Sequence, residues 1–276
     1  MDEDKIRELR KNGYSYTEIS KLTGRSKKFI HSKAKDIKLN MNGKKRYFKK
    51  VKGIKKQILS QPANLTIEKV RIIGHLFFDG CLSNSGYNYM IKYISSTREL
   101  INRFISDMKE VYGLSPSALE IFKGKNVSSY YKVSFKSKKA FEDLKKYSSS
   151  YSTSNISASI PKEIMGSNRK IKLEFLETFF EDEGSISHNG RIMGDLKSER
   201  IIKQIIFLLR EFGLNFKLSK YKEYSGFMWK IYLPKNKENL RLFFKLGLFE
   251  KARVTRGINL GKRKKDVLKK ILNEYK

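Results

Sequence analysis

The chain has 276 residues, 60 of them Lys or Arg against 28 Asp or Glu, and carries a formal charge of +32 while keeping 39% hydrophobic residues. That length suits a folded protein of two or three modules, and so large a charge raises self-repulsion on folding and calls for a polyanionic partner. The single cysteine, Cys81, excludes an intramolecular disulfide and argues against a thiolate zinc site. No run of 18 apolar residues and no signal-like start follow Met1, so a soluble, intracellular, cytoplasmic protein without a membrane partner is expected.

Residues 1–40 read as a helical module. Ser15-Tyr16-Thr17-Glu18 has the capping-box spacing, Ile19 and Leu22 share a face, Gly24 permits a tight turn, and Ser26 can cap a second helix holding Phe29 and Ile30. The stretch from Glu18 to Ser26 resembles the turn region of a helix-turn-helix, whose second helix enters the major groove; Lys27, Lys28, His31 and Ser32 are then the groove readers. Residues 41–64 form a basic linker in which Lys44, Lys45, Arg46, Lys49, Lys50, Lys52, Lys55 and Lys56 have no acidic neighbour, a composition suited to tracking phosphates.

From Leu65 onward the chain repeats itself, giving one unit over 65–157 and another over 158–276. In the first, an apolar helix ends Phe78-Asp79-Gly80, a strand runs Tyr89 to Ser95, and a helix spans about Thr97 to Tyr112 with Leu100, Ile101, Phe104, Ile105, Met108 and Val111 on one stripe. In the second, a helix ends Asp182-Glu183-Gly184, a short strand starts at Ser185, and a helix spans about Glu199 to Phe212. Gly113-Leu114 and Gly213-Leu214 close the matching helices as left-handed caps do.

Each copy continues into a strand that alternates: Tyr131, Val133 and Phe135 against Lys132, Ser134 and Lys136, then Trp229, Ile231 and Leu233 against Met228, Lys230 and Tyr232. One face packs on helices and the other is polar and basic, fit to lie along a major groove. The DNA-contacting residues expected on it are Lys92, Lys132, Ser134 and Lys136 in the first copy, and Lys217, Ser219, Tyr221, Lys230 and Tyr232 in the second.

Ile72 to Gly80 resembles the LAGLIDADG motif, with Gly74 and Asp79-Gly80 in place, and Leu176 to Gly184 resembles its second copy, preceded by Ser159-Ile160-Pro161. The resemblance to the LAGLIDADG homing endonuclease family covers roughly residues 65–262. It implies an α+β fold of duplicated αββαββ half-domains with pseudo-two-fold symmetry and an antiparallel DNA-binding saddle, preceded here by a small all-α helix-turn-helix. It also implies that Asp79 and Glu183 are catalytic acids binding Mg2+, or another divalent cation such as Mn2+ or Ca2+, with the carbonyls of Gly80 and Gly184 assisting. Two carboxylates brought together repel unless cations intervene, and divalent ions also activate water for phosphodiester hydrolysis. By the same resemblance Lys251, in Leu246-Gly247-Leu248-Phe249-Glu250-Lys251, is the basic residue that stabilises phosphate charge. The first copy has Tyr147-Ser148-Ser149-Ser150 at that place, so the two half-sites are expected to nick at different rates.

The motifs also depart from the family pattern. Thr178 replaces a glycine and Glu177 a small residue, and Phe77 and Glu181 stand where the motif has an earlier Asp. His31, His75 and His188 are scattered and read as structural or DNA-facing. No phosphate-binding glycine loop, nucleophile elbow or zinc spacing is present. The expected function is a monomeric, metal-dependent, site-specific double-stranded-DNA endonuclease. A LAGLIDADG-scaffold transcription regulator without cleavage, and a maturase acting on intron RNA, are the alternatives.

Overall fold

A computed structural model describes residues 3–44, 46, 65–122, 129–155, 158–224 and 226–274. The chain divides into two compact units, 1–59 and 60–276.

In the first unit α1 (Glu3–Lys11), α2 (Tyr16–Thr23) and α3 (Lys27–Ala34) bury Ile6, Ile19, Ile30 and Ala34. The expected capping box is present: Ser15 Oγ accepts from the Glu18 amide while the Glu18 carboxylate accepts from the Ser15 amide. Gly24 ends α2 at φ 67°, in the left-handed region where a side chain costs energy. Ser26 caps α3 as expected. α1 was not expected. Its Ile6 and Leu9 lie one turn apart, and its ends carry the charges the helix dipole favours, Glu3 and Asp4 then Arg10 and Lys11. The basic segment opens helically at residues 41–44; Lys45, Lys49, Lys50, Lys52, Lys55 and Lys56 lie outside the described residues.

The second unit contains the duplication. Its first half runs α4 (Ile67–Phe78), β1 (Gly80–Ser85), β2 (Asn88–Ser95), α5 (Arg98–Tyr112), β3 (Ala118–Phe122), β4 (Tyr130–Lys136) and α6 (Lys138–Lys145). A short α7 (Lys162–Met165) leads to the second half, α8 (Arg169–Asp182), β5 (Gly184–Ile186), β6 (Ile192–Leu196), α9 (Glu199–Glu211), β7 (Lys217–Glu223), β8 (Gly226–Tyr232) and α10 (Lys237–Lys245), followed by α11 (Lys264–Glu274). The strands form two antiparallel sheets of the same order, β1-β2-β4-β3 and β5-β6-β8-β7. The fold is thus a duplicated α+β half-domain. Gly113 and Gly213 close α5 and the turn after α9 with φ of 62° and 82°.

α4 and α8 pack on each other at the middle of one continuous apolar core that draws on both halves. Their approach is close because a Cβ on Gly74 would fall 1.9 Å from Thr178 Oγ1. Only hydrogen at position 74 leaves room for the buried threonine, whose hydroxyl turns back to donate to the Phe175 carbonyl at 2.7 Å. Thr178 therefore fills the space that Gly74 opens, and the departure from glycine at 178 is matched across the interface. Glu177 is matched as well, accepting from Arg103 of α5 at 2.7 Å. Phe77 packs on Tyr151 and Phe175, and Phe78 on Phe175 and Phe179.

Candidate functional site

Asp79 and Glu183 are the C-cap residues of α4 and α8. Each is followed by a glycine because the chain folds straight back over the helix: a Cβ at Gly80 would lie 2.7 Å from the Leu76 backbone, and one at Gly184 2.4 Å from the Phe180 carbonyl oxygen. Both acids line one pocket of about 440 Å³, together with Asp182, Arg253, Arg256 and Lys264. Asp79 has surface open to solvent and Glu183 is half-buried. Burial of the carboxyls first, then neighbouring negative charge, raises both pKa values well above the usual carboxylate range: Asp182 acts on Asp79, and Asp79 with Asp182 on Glu183. The paired acids of the sequence are thus brought to one site.

Of the basic residues lining this pocket, Arg253, Arg256 and Lys264, the buried one is Lys264. At the start of α11, Lys264 is 5% exposed, and its Nζ donates to the carbonyls of Phe180 at 3.1 Å, Glu181 at 3.0 Å and Gly184 at 2.5 Å. These carbonyls lie at the end of α8, where the helix leaves acceptors unpaired and its dipole favours a cation. Burial lowers the lysine pKa to about 8, and the charges of Asp182, Glu181, Asp79 and Glu183 oppose that fall. The turn after α10, with Gly247 at φ 72°, presents the Lys251 backbone amide to Glu181 Oε1 at 3.2 Å, and the Lys251 charge acts on the Glu181 carboxyl. Lys251 is not among the residues lining the pocket. Nothing local marked Lys264, which reads in the sequence as one of a run of surface cations, Lys262 to Lys265.

Behind the acids lies a buried polar cluster that the sequence did not disclose. Asp182 accepts from the Tyr93 hydroxyl at 2.7 Å and stands 2.8 Å from His75 Nδ1. Removal from water raises the Asp182 pKa to about 8 and lowers that of His75 to about 3, so burial favours the uncharged form of each group. Arg71 grips Asp107 through two bonds of 2.8 and 2.6 Å and reaches Glu174 of α8 at 2.9 Å. Glu181 lies 3.3 Å from Arg103, and burial holds its pKa up at about 8. His75 is wholly buried among these groups.

A divalent ion needs several hard oxygen donors at once. Asp79 and Glu183 offer two carboxylates, but among the described residues no group of three or more His, Cys, Asp or Glu could hold a metal ion. The Gly184 carbonyl, one of the four expected ligands, already accepts from an ammonium. As arranged, the donors do not fit a divalent-metal centre.

The strand register places the other expected residues. Lys136 pairs with Met90, Ser134 with Lys92 and Ala118, and Lys132 with Ile94 and Glu120, so Lys92, Lys132, Ser134 and Lys136 share one face. Ser134 is a correction: at 2% exposure, between β2 and β3 with Ser117 folded onto its carbonyl, it is closed to a ligand. In the second sheet Lys217 pairs with Tyr232, Ser219 with Lys230, and Tyr221 with Met228, again on one face. Each face holds one lysine against an acid, Lys132 with Glu120 at 3.1 Å and Lys230 with Asp195 at 3.6 Å. In the first unit Lys27, Lys28, His31, Ser32 and Lys44 are exposed, whereas Arg46 lies over the Tyr14 ring at 3.6 Å, with Glu18 at 3.7 Å. Among the described residues no helix is long and apolar enough to cross a membrane.

No protein-family model matches the chain, and no curated protein matches it. Among solved structures, it is similar to I-DmoI in complex with DNA and Mn (TM-score 0.49, 15% identity, 67% of this chain and 96% of that one). It is similar also to full-length DUF199/WhiA from Thermatoga maritima (TM-score 0.49, 17% identity, 80% of this chain and 65% of that one). A third likeness is to the N-terminal LAGLIDADG domain of DUF199/WhiA (TM-score 0.45, 15% identity, 75% of this chain and 91% of that one). The chemistry has to be read from this chain's own residues.

Proposed function

We propose that the protein binds double-stranded DNA through the open faces of its two sheets and the exposed face of α3, and acts as a regulator of transcription without cutting its target. The observation that carries this reading is the pair of four-stranded faces bearing Lys92, Lys132 and Lys136 on one and Lys217 and Lys230 on the other, in a chain of charge +32. Ser219, Tyr221 and Tyr232 add hydroxyls able to bond base edges or phosphates. The lack of a metal-fitting donor set at the acids favours binding over hydrolysis.

Selection of bound sequences from a random duplex pool tests the reading. A recovered consensus, bound at least ~10³-fold more tightly than random duplex at physiological salt, is expected. Recovery of no consensus would contradict it. A metal-dependent endonuclease is the second reading, and the specific observation in its favour is that Asp79 and Glu183 line the same pocket. Supercoiled plasmid carrying the selected site separates the two. Intact plasmid after incubation with Mg2+ supports the regulator, whereas linear product that disappears in Asp79→Asn supports the nuclease.

A further inference from the structure

The carbonyl end of α8 lies beside the paired acids, and one ammonium meets its last carbonyls. Lys264 Nζ has three hydrogens and makes three bonds, to the carbonyls of Phe180, Glu181 and Gly184, so its donors are fully used. It is buried, lines the pocket that holds Asp79 and Glu183, and is held from behind by the Phe249 ring at 5.4 Å. A surface lysine would pay side-chain entropy for such an arrangement and gain little; a buried one is kept only where its charge and every donor are met. Among the described residues the first half shows no counterpart: the pocket beside Gly80 is lined in part by Lys145 and the residues Ser148 to Thr153, and no helix corresponding to α11 enters it.

We propose that the Lys264 ammonium is a built-in cation standing on the Gly184 carbonyl where the second half would otherwise take a divalent ion, so that the site admits no metal until the lysine is removed. A second cation on the Gly184 oxygen would meet the ammonium at short range with little water between them. The three carbonyls seat Lys264 and join α11 to the end of α8.

The test uses the full chain without DNA, with Mn2+ uptake followed by the loss of the free-ion electron paramagnetic resonance signal. Wild type is expected to show no saturable uptake at the pocket up to about 1 mM, the range of the weakest protein sites. Lys264→Met is expected to gain a site at least ~10-fold tighter, lost again when Glu183→Gln is added. Lys264→Gln keeps a donor for the carbonyls without the charge and serves where the methionine variant does not fold; Mn2+ should then raise its melting temperature and leave wild type unchanged. Saturable uptake by wild type that disappears in Asp79→Asn or Glu183→Gln would overturn the proposal, as would folded lysine variants that bind no more tightly than wild type. DNA affinity, measured on the same samples in chelator, is independent of this result: wild-type metal uptake would remove the built-in cation and leave DNA binding standing.

Discussion

Between α4 and α8 the Asp182 carboxyl is shared by the Tyr93 hydroxyl and the His75 ring, out of contact with water. Its folded pKa of about 8 lies above the ordinary 3.8. The stability it contributes is therefore complete below about pH 4 and is lost as pH rises through about 8. Asp182→Asn keeps an acceptor for Tyr93 and a donor for His75 but cannot titrate. Urea unfolding at pH values from about 6 to 9 should give wild type a loss of stability steeper than the variant's by up to ~1.4 kcal/mol per pH unit; parallel pH profiles would contradict the neutral pair. Tyr93→Phe removes the bond to the carboxyl and should cost about 1–2 kcal/mol in the same assay, with an unchanged midpoint counting against it.

At the scale of elements, the meeting of α4 and α8 depends on one missing side chain. Gly74→Ala would drive a methyl into Thr178, and overpacking of this kind costs ~1–3 kcal/mol. Thr178→Ala in the same chain should recover part of the loss, and a double-mutant cycle should give a coupling of at least ~0.5 kcal/mol. Additive effects would show that the helices do not meet there. Much of the element level was legible in the sequence because its causes are local. The Ser15 capping box, the Gly113 and Gly213 turns and the two-residue alternation of β4 and β8 each depend on neighbours within a few positions. The partners of Glu177 and Thr178 lie 74 and 104 residues away in sequence, and Lys264 bonds a carbonyl 80 residues distant. No local pattern distinguishes those residues from surface charge. Ser134 fell on the correct face, but alternation says nothing of how neighbours cover a central strand.

For the whole molecule the excess of positive charge is the dominant physical fact, and DNA affinity should follow it. Asp195 holds Lys230 at 3.6 Å on the second open face, so Asp195→Asn should free the lysine, remove a repelling charge and tighten duplex binding by roughly 1 kcal/mol, about fivefold. Weaker binding in an anisotropy titration would indicate that the face does not meet DNA. The salt dependence of duplex binding is the most direct measurement, because each neutralised phosphate adds about −0.9 to the slope of log K against log salt. With Lys92, Lys132, Lys217 and Lys230 all changed to alanine in the full chain, the slope should become shallower by about 3 to 4. A variant that binds duplex with the wild-type slope would contradict DNA binding on these faces.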